Sequence, residues 1–438
     1  MQPPAVIDLD RPVPASPPRR RGGRRPAAGL LLAGVLVLAA GAQRMPAPDP
    51  VVRLSGIGVG DIRVDGRAVY LVRRPDVDRA FVEAYRMPGG TPRWVLPVPV
   101  AAHIAAVEGD RVVLAVSEPG RPWASALVGR DAGTGAQVWR RTGHEPSAYG
   151  TAGASGVLVT DVYPPGGDPR EQLRRPASRM AGVDIRTGEL RWSLDTPADT
   201  MRDLVFTSAG RFGIAELDPG GTLRIRGAES AEVVRTVRLD LPDRVGGFFI
   251  FGDRLLAYRS GLGSFLASAV FDLATGRRLW QRTDEPDGIA LWFCGGLLCT
   301  GTGLEIAALD PDTGRELWRL DGWTGLSRLD DRHMLATRRY ADVKDPWLST
   351  MVVDAATGRT VRRFDGWDVL DVDPARGVLV AGRAPAGPSL IGWLDGATGA
   401  VRVIGRAAEH WSTPPLCVAG QVFVACRSGD VRVWALPH

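Results

Sequence analysis

Residues 267–281 read ASAVFDLATGRRLWQ. An apolar run, Ala267 to Phe271, meets a polar turn, Asp272 to Gly276, and a second strand-like run, Arg277 to Gln281, carries Trp280. Each residue type has a physical role in such a hairpin. An Asp side chain can cap the backbone of its own turn, and Gly supplies the positive φ that a tight reversal requires. A Trp four residues beyond that Gly is placed to lie between adjacent sheets, where its large apolar area is buried.

Working outward, the same string recurs. Intact copies are Asp131-Thr134-Gly135-Trp139, Asp184-Thr187-Gly188-Trp192, Asp272-Thr275-Gly276-Trp280 and Asp310-Thr313-Gly314-Trp318. Degenerate copies fill the gaps. Asp354-Thr357-Gly358 and Asp395-Thr398-Gly399 keep the turn with Arg362 and Val403 in place of Trp, Gly90 with Trp94 keeps the other half, and a faint copy lies at Ser230-Ala231. The turns recur about every 44 residues, the size of one propeller blade. Two more short runs precede each hairpin, as in Gly247 to Phe251 and Arg254 to Tyr258, giving four strands per repeat.

The expected fold is therefore all-β: a β-propeller of four-stranded antiparallel blades over residues 50–438. The C-terminal run Gly429 to Leu436 resembles the strand before a turn and then stops. Pro50 to Ser55, PVVRLS, can supply its missing outer partner and close the ring, removing the open edges of a linear array. Eight turn copies plus this truncated unit are read as eight blades, with seven or nine as alternatives because the copies near residues 90 and 231 are poorly defined.

Composition agrees with one globular unit: 45% of residues are hydrophobic and 24% charged. The net charge of +5 is concentrated at the start, where residues 1–49 hold seven Arg against three Asp. The remainder is near neutral, so a basic nucleic-acid groove along the main domain is not expected. Residues 1–26 are rich in Pro and Arg and read as a disordered cytoplasmic tail. Ala27 to Ala42, AAGLLLAGVLVLAAGA, carries no charge and follows five Arg. This orientation of charge places the N-terminus inside and residues 50–438 outside. The segment 27–43 is read as one transmembrane signal-anchor helix, the alternative being a signal peptide cut after Ala40-Gly41-Ala42.

The tandem D-x-x-T-G-x-x-x-W motif resembles the pyrroloquinoline-quinone-like, or quinoprotein-like, propeller repeat, over roughly residues 51–438. That family contains quinone-dependent alcohol dehydrogenases and also non-catalytic members similar to the lipoprotein that helps insert outer-membrane barrels. The resemblance implies, for the catalytic branch, an adjacent Cys pair and a metal held by Glu, Asn and Asp. No such pair or ligand set stands in this sequence. The chain is thus read as a non-catalytic, membrane-anchored bacterial member: no enzyme, no cofactor, and an unknown protein or cell-envelope ligand as partner. Two alternatives are a degenerate quinone- or metal-dependent oxidoreductase and a membrane sensor with an external binding propeller.

Other patterns receive plainer readings. Asp310-x-Asp312-x-Gly314 mimics the opening of a calcium loop, but the repeat turn explains it and position twelve is Asp321. Gly56-Gly58-Gly60 reads as a turn between first strands rather than a phosphate cradle. The five histidines, 103, 144, 333, 410 and 438, never fall at zinc-ligand spacing. Cys294 with Cys299, and Cys417 with Cys426, are possible disulfides, since each pair lies within one repeat outside the membrane. A two-residue Gly295-Gly296 turn would instead set Cys294 opposite Leu297; a looser loop would oppose the sulfurs. Arg338-Arg339-Tyr340, Pro346-Trp347 and Gly366-Trp367 are candidates for a partner surface or for packed blade residues.

Overall fold

The computed structural model describes Val6, Ile7 and residues 49–436, apart from 118–123, 153–155, 163–178, 198, 207–211, 242–244, 262–263, 284–289, 295, 302–304, 339–349, 365–366, 374–376, 383–388, 396–399 and 408–414. Strands follow one another in sheets of four, each strand antiparallel to its neighbour in sequence. The first blade is Val59–Asp65, Ala68–Arg73, Ala80–Arg86 and Thr91–Val98. Seven more follow in order, ending with Trp367–Asp373, Gly377–Gly382, Leu390–Leu394 and Val401–Arg406.

The last sheet contains Leu416–Ala419, Phe423–Ser428 and Asp430–Ala435, completed by Val52–Leu54 from the other end of the chain. Val52 pairs with Val433, Arg53 with Arg432 and Leu54 with Val431. The ring closes through the stretch the sequence nominated. The count is nine blades, not eight: each of the eight turn copies belongs to its own blade, and the truncated unit is a complete ninth one once its outer strand arrives from residues 52–54. Val6–Ile7 additionally pairs with the outer strand of the eighth blade, a contact that a tail held in the cytoplasm by a span at 27–43 could not make. Among the described residues no helix is long and apolar enough to cross a membrane; the proposed span, 27–43, lies outside them.

The middle strands explain why the ring coheres. Ala68–Arg73 is buried at five successive positions, which a strand covered on both faces requires. Its alternate residues serve opposite neighbours: Ala68, Tyr70 and Val72 pack toward the second blade with Trp94 and Ile104, while Val69 and Leu71 pack toward the ninth with Phe423 and Val433. Nine such apolar clusters exist among the described residues, one at each junction between blades. The cluster holding Val52, Ile62 and Val431 seals the junction where the chain's two ends meet.

Candidate functional site

The repeat residues are consumed in joining blades. Asp131 Oδ1 accepts from the Gly133 and Thr134 amides at 3.1 and 2.8 Å and from the Thr134 hydroxyl at 2.8 Å. Asp184, Asp272, Asp310 and Asp354 cap their turns in the same way. Hydrogen bonds from the threonine hydroxyl and amide hold the Asp131, Asp272 and Asp354 carboxyls below the usual carboxylate range. Gly135, Gly188, Gly276 and Gly314 all have φ between 68 and 74°. The Asp310 carboxylate that opens the calcium-like string is thus engaged by the Asp312 and Thr313 amides, and Arg254 Nε donates to Asp312 Oδ1 at 2.6 Å.

Each indole then keys into the next blade. Trp139 Nε1 donates to the Ile185 carbonyl at 3.0 Å, Trp192 to Ala228 at 2.9 Å, Trp280 to Pro311 at 2.8 Å and Trp318 to Ala355 at 2.9 Å. Trp94, from the half copy, reaches Ala132 at 3.1 Å. The acceptor is always the residue at the start of the neighbour's turn, and the rings of Trp94, Trp139, Trp280 and Trp318 lie over that turn's glycine, whereas the turn facing Trp192 has Ala231 there. A Cβ added at Gly188 would stand 2.5 Å from the Trp139 ring. Room is also made inside the blade, because Gly129 and Gly182 oppose Trp139 and Trp192 so closely that no Cβ fits.

Blade topology gives the disc two unlike faces. Turns between first and second strands and between third and fourth strands leave from one face, and these are tight, as in Gly66, Gly109, Gly252 and the repeat turns. Connections from second to third strand, and from blade to blade, leave from the other. Second and third strands are separated by the most sequence in the third blade, Val157–Val162 to Arg179–Asp184, and in the seventh, His333–Thr337 to Thr350–Asp354. Arg338 is exposed, whereas Arg339, Tyr340, Pro346 and Trp347 lie outside the described residues. Trp367 is not on this surface; it is buried in the first strand of the eighth blade against Gly382.

A groove of about 620 Å³ lies between the fourth and fifth blades, lined by the Pro219-Gly220 connection, by Arg238 to Leu241 and Val245 between the blades, and by Gly276 of a repeat turn. Its floor is Met201, Leu239, Leu241 and Val245, and its rim carries Pro219, Asp199, Arg238 and Asp240. Here the indole series is interrupted. The fourth blade has Arg235 where its neighbours have Trp, and Ala231, at φ 58°, stands in the turn-glycine position. No indole covers Gly276; the Arg238 carbonyl and Val237 close over it instead. The groove could not be read from spacing, because its lining is gathered from two blades.

Other nominated residues are structural. Gly56 approaches the Gly429 carbonyl and Gly58, at φ 70°, the Arg74 carbonyl, so the glycine loop hugs the chain's own backbone. Arg73 Nη1 secures it by donating to Ser55 and Ile57 carbonyls at 2.7 and 2.9 Å. His144 is buried with Nδ1 3.0 Å from Thr160 Oγ1, and burial pushes its ring down to about 4. His333 pairs with Asp330 at 2.8 Å. Burial also lowers His103, while His410 and His438 lie outside the described residues. Among the described residues no three His, Cys, Asp or Glu side chains converge as a metal site would need. Both cysteine pairs are bridged, each across the hairpin of its first two strands. Cys417 stands directly opposite Cys426. Cys294 faces Leu297, as the short turn dictates, and reaches Cys299 diagonally at a Cα separation of 5.8 Å.

A closed ring of four-stranded blades, keyed by this turn and this indole, defines a β-propeller. Residues 52–209 match the family model described as outer membrane protein assembly factor BamB. Similar solved structures include BamB from Moraxella catarrhalis, 14% identical over 88% of this chain and 98% of that one, with a TM-score of 0.41. Another is a europium-containing methanol dehydrogenase, 13% identical over 67% of this chain and 72% of that one, with a TM-score of 0.37. No curated protein sequence matches.

Proposed function

We propose that this chain is a membrane-tethered, extracytoplasmic binding propeller that holds a protein partner on its long-connection face. The observation that carries the reading is the division of labour between the two faces. On one, the Asp, Thr and Gly of each turn are spent in capping it, and the indoles in joining blades. On the other lie the connections from second to third strand and from blade to blade, whose sequence lengths differ between blades, and loops are where recognition residues concentrate on rigid scaffolds. The uncharged stretch Ala27 to Ala42, preceded by arginines, supports the tether. The family whose model matches residues 52–209 is named for assembly of outer-membrane proteins, and it supports a role in holding other proteins.

Two measurements test this. A photo-crosslinking residue at Val77, exposed on the second-to-third-strand connection of the first blade, should trap one reproducible partner in intact cells, and the purified partner should bind the purified full chain. Protease added to spheroplasts should cut the propeller. Stoichiometric uptake of pyrroloquinoline quinone with calcium, accompanied by dye reduction on alcohols, would replace the scaffold by an enzyme; protection from external protease would remove the tether reading.

A further inference from the structure

We propose that the outer edge of the eighth blade is a strand-docking site, occupied here by Val6–Ile7 of the chain's own tail and, in the tethered protein, by an extended β-branched segment of a partner. This rests on the tethered binding-propeller reading, to which it adds a contact on the rim of the disc. The eighth sheet itself carries the inference. It holds five strands where every other sheet holds four. The fifth is Val6–Ile7, antiparallel to Val401–Arg406, with Val6 opposite Arg402 and Ile7 opposite Val401.

The strand that accepts it differs from the other outer strands. In Gln137–Thr142, Leu190–Asp195 and Glu316–Asp321 four of six residues are exposed and one is buried. In Val401–Arg406 four are buried and none is exposed. Val401 and Val403 pack into the junction with the seventh blade and Ile404 into the junction with the ninth, where Trp434 lies so close over Gly405 that no Cβ would fit. Both faces of the strand are closed, so what it offers a partner is its outer edge. Main-chain donors and acceptors there are satisfied by an added strand.

The occupant seen here defines the chemistry. Val6 and Ile7 are both β-branched, which suits an extended chain, and Pro3-Pro4 just before them has no amide to give to a ladder. A tail held in the cytoplasm by a span at 27–43 cannot reach this edge once the propeller is outside. Tethering therefore vacates the edge, and an unpaired strand edge is a template for another chain.

The test uses full-length chain in detergent, where tail and propeller share one aqueous phase, and the fluorescein-labelled peptide MQPPAVIDLDRPV, residues 1–13. In the parent the chain's own tail competes, so a full-length variant carrying Val6→Pro and Ile7→Pro should bind this peptide at least tenfold more tightly by anisotropy. A peptide with both prolines should bind neither chain. When the unmodified peptide is added to the variant, hydrogen exchange should slow within Val401–Arg406 and stay unchanged within Gln137–Thr142. Equal affinities of the two chains, no binding to the variant, binding of the proline peptide, or protection elsewhere than residues 401–406 overturns the proposal. In intact cells a photo-crosslinking residue at Arg402 should trap a partner, and the peptide through which it is crosslinked should displace residues 1–13 from the variant. Trapping residues 1–26 of this chain instead would mean that the tail keeps the edge, and would remove the tether as well. If the Val77 crosslink finds a partner and the Arg402 crosslink finds none, the docking edge is wrong and the binding propeller stands. If neither position traps a partner, the reading beneath it fails too.

Discussion

At the scale of single residues the fold depends on a few side chains doing two things at once. Trp139 is buried, fills the space over Gly188 and donates to Ile185, so Trp139→Ala should cost about 3–5 kcal/mol, read from the denaturant midpoint. Trp139→Phe should recover part of that and leave the Ile185 carbonyl without its donor. Two buried titratable groups give stability opposite pH slopes. His144 is held neutral by burial, with a pKa of about 4, so its contribution is complete above about pH 6.5 and drains away as pH falls toward 4. Asp368 is 5% exposed, its Oδ1 has no hydrogen-bond partner among the described residues, and desolvation pushes its carboxyl up to about 6. Ionising it in the folded state is costly, so this group favours the fold below about pH 4 and opposes it as pH rises through 6. Asp368→Asn should therefore stabilise the protein by about 2 kcal/mol at pH 8 and by little at pH 4. His144→Gln should flatten the decline between pH 6.5 and 4. Melting temperatures across that range check both.

At the scale of elements, legibility follows locality. The repeat turn could be read from the sequence because its cap, its glycine and its indole lie within nine residues and answer to one another chemically. Even the faint copy at Ser230-Ala231 adopts the turn, with Gly227 accepting from the Ala231 amide at 2.9 Å in the role that Asp131 plays for Gly135. The blade count was harder. Counting turns finds only blades whose third and fourth strands are consecutive in sequence, and the ninth has its fourth strand more than 370 residues away from its third. Trp367 shows the same limit from another side: its neighbour Gly366 suggests a loop, but its burial comes from Gly382 in the next strand, which spacing does not reveal. The groove is invisible for a related reason, since its lining is gathered from two blades. The ninth blade's hairpin also carries the Cys417–Cys426 bridge. Replacing both cysteines by serine should lower stability by about 2–3 kcal/mol under oxidising conditions, and dithiothreitol should then have a smaller effect on the variant than on the parent.

The whole molecule is a ring whose last junction differs in kind from the rest, because it joins the two ends of the chain. Eight junctions form between blades contiguous in sequence, whereas the ninth must bring Val52–Leu54 to Asp430–Ala435 and Val52 to the turn at Gly90, where a Cβ would meet its side chain. Long-range pairing of this sort is entropically dear to form, yet once formed it removes an exposed strand edge and buries Val59, Ile62, Val431 and Val433 between blades. The closing strand should therefore matter far more than its three residues suggest. Replacing residues 50–55 by a Gly/Ser linker of equal length keeps the tether and removes the strand. The variant should expose Asp430–Ala435 as an edge, self-associate in size-exclusion chromatography with light scattering, and unfold at a lower denaturant concentration. A synthetic peptide PVVRLSG, residues 50–56, added in trans should restore the monomer and move the midpoint back toward the parent. A monomeric variant with an unchanged midpoint would mean that the apolar junction alone holds the ring shut, and that the backbone pairing of Val52 with Val433 adds register without adding stability.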